Sequence, residues 1–237
     1  VLLATIPHVS AQAQEENLTF LGIWSHGDSI LLFATVHKCG DELEEPTQPL
    51  QTLVSRDEGK TWSRSGPRLL WKKFEFILDT GTEIWIAGDS YDAEGPASTP
   101  FILLADPDSR DWQEFEIYQG YDELMAVAKD ERDSNRFLAW VNHLMLPPDH
   151  PDYGEDDPMF LHESLDRAGT WHVLKKVKTV PKAVPGMRFF EEIPRQSRGW
   201  RIINVGQNNS ALEHLGKDGK WHQVAKPALP IQESCEE

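Results

Sequence analysis

The sequence predicts an all-β chain folded as a β-propeller of four-stranded antiparallel blades. Three observations predict it. A compact turn, Ser55-Arg56-Asp57-Glu58-Gly59-Lys60-Thr61-Trp62, recurs downstream in weaker copies. The tryptophans that close these units, Trp62, Trp112, Trp171 and Trp221, are spaced by 50, 59 and 50 residues, a period that belongs to propellers and solenoids. No window reads as an amphipathic helix, because valine, proline and turn residues interrupt each candidate.

The turn has a physical reading. Asp57 can fold its carboxylate onto the amides that follow it. Gly59 supplies a position where positive φ costs little. Thr61 and Trp62 suit the start of a strand, and Leu50 to Val54 reads as the strand before. Ser164-Leu165-Asp166-Arg167-Ala168-Gly169-Thr170-Trp171 keeps Ser, Asp, Thr and Trp at the same offsets. Gly216-Lys217-Asp218-Gly219-Lys220-Trp221 is shortened, and Ala105 to Trp112 is degenerate. The first unit resembles the Asp-box (BNR) repeat of sialidase-like β-propellers, and the second nearly does. The resemblance names Ser55, Asp57, Gly59, Trp62, Ser164, Asp166, Trp171, Asp218 and Trp221 as structural turn residues.

Four modules follow one plan. Residues 1–14 read as a signal-peptide remnant or a disordered tail, and residues 15–237 as a single propeller domain. The first module spans about 18–70. Phe20 to Trp24 is its first strand and His26 to Ser29 its turn. Ile30 to Val36 is a continuous apolar run, as a strand buried on both faces requires. The second, about 71–120, repeats the plan with Phe74 to Leu78, Glu83 to Gly88 and Phe101 to Ala105. The third, about 121–178, has Leu124 to Ala128 and Arg136 to His143, then a polar, proline-rich insertion. The fourth, about 185–230, starts with Met187 to Ile193 and continues through Trp200 to Val205. Such sheets cannot bury their faces singly but can when packed radially. The modules count four blades; sialidase catalytic domains have six, so a cryptic fifth or sixth blade, or assembly with another chain, is the alternative.

Composition bounds the function. Asp and Glu number 39 against 23 Lys and Arg, for a formal net charge of −16. Such a balance disfavours nucleic acid and anionic membranes as partners. The longest purely apolar stretch, Ile30 to Ala34, is too short for a membrane span. Ala11-Gln12-Ala13 after a short apolar segment has the small-x-small form of a cleavage site, so a secreted or periplasmic location is expected. Cys39 falls in the loop after the second strand of blade one, and Cys235 just past the last strand of blade four. In a closed ring these neighbour one another, and a Cys39–Cys235 disulfide would clamp it.

Any ligand site is expected on the face opposite the Asp-type turns. Aligning the second strands puts His37, Asp89, His143 and Gln207 at equivalent positions around a central opening. Tyr91, Asp92, Asn142 and Arg188 are further candidates there. Neighbouring groups from the connections between blades include Lys73, Glu75 and Asp122. His37, Asp89 and His143 are the candidate ligands of a divalent metal, since imidazole and carboxylate suit Zn, Mn or Fe; ordinary solvated loop residues are the alternative. The sialidase arginine trio and aromatic-Arg-Ile-Pro motif are absent. The sequence therefore supports an extracellular propeller that binds or processes glycans without a sialidase catalytic set, glycosidase-like if it is an enzyme. A protein-interaction scaffold and a metal-binding propeller or small metal-dependent enzyme are the alternatives.

Overall fold

A computed structural model describes residues 17–37, 50–69, 72–91, 98–118, 121–145, 158–206 and 209–224. Among them there are strands and turns but no helix. The expected leader, Cys39, Cys235, Asp92 and Gln207 lie outside the described residues.

Among the described residues, four antiparallel sheets form blades of a propeller. Blade one is β1 (Asn17–His26), β2 (Ser29–His37), β3 (Leu50–Ser55) and β4 (Ser63–Leu69), paired in that order. Blade two contains β5 (Lys72–Asp79), β6 (Ile84–Tyr91), β7 (Ser98–Ala105) and β8 (Gln113–Glu116). Blade three contains β9 (Tyr121–Asp130), β10 (Phe137–Met145), β11 (Met159–Ser164) and β12 (His172–Val177). Three short strands follow: β13 (Met187–Phe189), β14 (Glu191–Glu192) and β15 (Gln196–Ser197). Blade four is β15, β16 (Trp200–Gly206), β17 (Asn209–Leu215) and β18 (Trp221–Val224).

The second strand of each of the first three blades explains its own sequence. Along β2, Leu31 and Phe33 pack toward blade two, while Ile30, Leu32 and Ala34 pack toward blade four. Along β6, Ile84 and Ile86 face blade one, and Trp85 and Ala87 face blade three. Successive side chains of a strand point to opposite faces. A strand with a blade on either side must therefore be apolar at every position. The same alternation sends Phe137 and Ala139 of β10 toward blade two, and Leu138 and Trp140 to the other side. That other side is covered by Val180, Val184, Met187 and Phe189 of the connecting segment. Hydrophobic clusters thus join blades four to one, one to two, and two to three.

The segment expected as the first strand of module four does something different. Met187 to Phe189 pairs with β9 of blade three. Glu191 and Glu192 pair with β5 of blade two. The Ile193 N–H then donates to the Glu75 carbonyl, and the Pro194 carbonyl accepts from the Ile23 N–H, each at 2.9 Å. Only Gln196 and Ser197 form the inner strand of blade four. Residues 187–197 therefore climb the axis between the inner edges of blades three and two. They turn at Pro194 beside blade one and descend into blade four. Inner strands would otherwise leave a row of backbone donors and acceptors unpaired on the axis. Pro194 has no N–H to leave unsatisfied at the apex. Gly22 sits at a β-bulge facing the apex, where a Cβ would stand 2.2 Å from Ile193 Cγ2.

Candidate functional site

The Asp-type turns are closed by their own side chains. Ser55 Oγ donates to Asp57 Oδ1 at 2.9 Å and accepts the Gly59 N–H at 2.8 Å. Asp57 accepts the Thr61 N–H at 2.8 Å and the Thr61 hydroxyl at 2.6 Å. Ser164, Asp166, Ala168 and Thr170 repeat this pattern at 2.9, 2.9, 2.8 and 2.7 Å. Trp62 and Trp171 return their indole N–H to the carbonyls of Gly59 and Ala168. Hydrogen bonds from Thr61, side chain first, hold the Asp57 carboxyl down to about 2. Both carboxylate oxygens are engaged inside the turn, as turn-forming aspartates require. In the shortened copy Asp218 accepts the Lys220 N–H at 3.1 Å and contacts His222 at 3.0 Å, and Trp221 starts β18.

The other face carries a polar seam between blades two and three. Asp89, near the end of β6, is only 2% exposed and accepts the Leu124 N–H of β9 at 3.1 Å. Asp122, at the start of β9, is 1% exposed, and neither carboxyl oxygen has a hydrogen-bond partner. Its backbone carbonyl accepts from Ser98 Oγ. His143 Nδ1 stands 3.9 Å from Asp122 Oδ1, too far for a hydrogen bond. His143 Nε2 meets His162 Nε2 at 3.1 Å, so one ring donates and the other accepts. Tyr118 and Phe160 each pack on the His143 ring at 4.6 Å between centroids.

Burial sets the electrostatics of the seam. Desolvation, then repulsion from Glu75, pushes Asp89 up to about 7. Desolvation and repulsion from Asp89 push Asp122 to about 7 as well. The two acids form a couple that retains a proton near neutrality. Burial, then neighbouring His143, draws His162 down to about 4, so its ring is neutral at pH 7.

An axial cavity of about 310 Å³ lies on the inner edge of β5. Lys73, Glu75 and Glu192 line it with Phe74, Phe76 and Ile193. Lys73 Nζ pairs with Glu75 Oε1 at 2.6 Å, a contact that raises the lysine. Glu192 enters from the axial segment and is exposed.

The structure thus brings together some of the expected residues and separates others. Asp89 and His143 share the seam, but they are buried between blades rather than ringing an opening, because Asp89 is tucked against the Leu124 N–H and His143 is packed by Tyr118 and Phe160. His37 ends β2 opposite Asn17, and its side chain is outside the described residues. Among the described residues no group of three or more His, Cys, Asp or Glu is arranged to hold a metal ion. Tyr91 ends β6, half-buried, and burial raises its hydroxyl. Asn142 is half-buried and contacts Met125 Sδ at 3.2 Å. Arg188 lies on the turn face, not the opposite one. Its strand climbs away from the turns, reversing the direction expected of a first strand. His162, Tyr118 and Glu192 were not singled out by the sequence. A lone histidine inside an apolar strand such as Met159–Ser164 reads as core.

No family model matches the chain, and no curated protein sequence matches it. Among solved structures it is similar to an α-L-arabinanase of Penicillium chrysogenum complexed with arabinobiose. That match has a TM-score of 0.46 and 13% identity, over 86% of this chain and 61% of that one. An exo-inulinase of Aspergillus awamori aligns with a TM-score of 0.40 and 11% identity, over 85% and 44%. An α-L-arabinofuranosidase of Fusarium graminearum in complex with an iminosugar inhibitor gives 0.36 and 14%, over 85% and 60%. The chain therefore spans between 44% and 61% of the length of these three structures. The blade architecture rests on the strand pairing described above.

Proposed function

We propose that the chain is an exported, carbohydrate-binding β-propeller whose saccharide site is the axial cavity beside Lys73, Glu75 and Glu192. The observation that carries this reading is the composition of that cavity. Two carboxylates and an ammonium share it with the phenylalanines of β5. Carboxylates accept hydrogen bonds from sugar hydroxyls, lysine donates to them, and aromatic edges pack on sugar C–H faces. The resemblance of the Ser55–Trp62 turn to Asp-box repeats supports the same class of ligand. Its weight is associational.

A second reading, glycoside hydrolysis, is favoured by one observation: Asp89, coupled to Glu75, keeps its proton near neutrality, as a general acid must. The 2% exposure of Asp89 keeps it from substrate, so binding is the first reading. A protein ligand is the remaining alternative for this face.

A panel of neutral pentose and hexose oligosaccharides, titrated calorimetrically, tests the proposal. At least one is expected to bind, and Glu192→Gln is expected to weaken it tenfold or more. Release from chromogenic glycosides, lost in Asp89→Asn, would promote the second reading. No bound saccharide in the whole panel would overturn the proposal.

A further inference from the structure

The turn face carries a second cluster with no role in the account so far. Arg188 of β13 and Lys129 of β9 are direct cross-strand partners. Like charges directly opposite one another destabilise a sheet. Neither finds a carboxylate among the described residues. Lys129 is 7% exposed, and its ammonium lies over the Phe137 ring, 5.3 Å from the centroid, at the wall of a cavity. Both residues line one cavity of about 300 Å³, with Thr80, Thr82 and Ser134.

The acids around this cavity are mostly committed elsewhere. Glu83 accepts the Trp85 indole N–H at 2.9 Å and pairs with Arg167 at 2.6 Å. Asp130 accepts the Arg132 and Asp133 N–H groups and pairs with Arg136 at 3.2 Å. Asp79, beyond Thr80, accepts from Trp24 Nε1 and contacts His26 Nδ1. Only Glu131, exposed at the rim, has its carboxylate unengaged among the described residues. Two cations then face one free anion, in a chain whose formal charge is −16.

We propose that Lys129 and Arg188 form an oxyanion site on the turn face, taking a sulfate, phosphate or carboxylate group. An oxyanion between the two side chains turns a repulsive cross-strand pair into a bridged one. The guanidinium offers a planar fork and the ammonium a point charge. The hydroxyls of Thr82 and Ser134 are at hand to donate. This site lies at the opposite end of the axial segment from the saccharide cavity and stands independently of it.

The test uses the full chain, titrated with sodium sulfate, sodium phosphate and sodium glucuronate against sodium chloride at matched ionic strength. Binding is read by calorimetry and by thermal shift. At least one of the three is expected to bind. Arg188→Gln, an exposed substitution, is expected to weaken it tenfold or more, and Lys129→Met similarly if it folds. Arg110→Gln, an exposed substitution in the Ala105–Trp112 turn of blade two, is expected to change affinity less than twofold. Preference for glucuronate over sulfate and phosphate assigns the oxyanion to an acidic sugar, and the reverse assigns it to a free inorganic anion or its ester. No binding beyond chloride, or equal binding by Arg188→Gln, overturns the proposal.

Discussion

Replacing Asp122 by Asn probes the seam through its proton linkage. Asp122 is 1% exposed with both oxygens unpartnered. Burial first, then Asp89, raises it from 3.8 to about 7. The folded state therefore binds more protons than the unfolded chain between about pH 4 and 7, and stability falls as pH rises through that window. His162 has the opposite sign. Its proton affinity is depressed to about 4 from 6.5, so its contribution rises with pH up to about 6.5 and is flat above. It is common to both proteins and cancels in their difference. At about 1.4 kcal/mol per tenfold of proton affinity, one group at about 7 would lose roughly 2.6 kcal/mol between pH 5 and 8 if fully shielded. Solvent screening reduces this to about 1–2 kcal/mol. Urea unfolding followed by tryptophan fluorescence at pH 5, 6.5 and 8 measures it. The wild type is expected to lose about 1–2 kcal/mol more than Asp122→Asn over that range, or roughly 2–8 °C in Tm. Identical pH slopes for the two proteins would refute the raised affinity and the coupled pair with it.

Four further outcomes follow from the packing. Gly59→Ala places a Cβ 2.1 Å from Trp200 Cη2 at φ +77, and is expected to cost about 2–4 kcal/mol in urea unfolding. Ala168→Gly relieves φ 68 but empties a fully buried methyl site, so its net effect is expected within about 1 kcal/mol of zero. Gly88→Ala would set a Cβ 1.9 Å from the Lys73 carbonyl oxygen, backbone that cannot step aside; loss of about 3 kcal/mol or more is expected, checked by the same unfolding curves. Gly22→Ala should destabilise through Ile193, and adding Ile193→Ala should recover part of the loss, a coupling that a double-mutant cycle reads directly.

Much of the fold was legible because the code for it is local. The Ser55 and Ser164 turns carry their own hydrogen-bonding partners within eight residues. The unbroken apolar runs of β2, β6 and β10 announce strands with a neighbour on each face. The axial segment was not legible. Met187 to Ile193 has the same strand character whichever sheet it joins, and its partners on β9 and β5 lie far away in sequence. Reading it as an ordinary first strand reversed its direction and moved Arg188 to the wrong face. In the seam, Asp89 and His143 were found by aligning equivalent strands, and Asp122 by its place in a blade connection. Burial was missed, since sequence does not say that a loop-end aspartate is tucked against the next blade. His162 and Tyr118 gave no signal, because single polar aromatics in strands are ordinary core residues. The Cys39–Cys235 pairing and the leader fall outside the described residues and remain proposals.

The saccharide cavity is tested most directly by titrating the oligosaccharide panel into the wild type and a Glu75→Gln/Glu192→Gln variant under identical conditions. The expected result is binding by the wild type that the variant weakens at least tenfold while its unfolding midpoint stays within a few degrees. Equal binding by the two proteins would contradict the placement of the site, and no binding by the wild type would contradict the function.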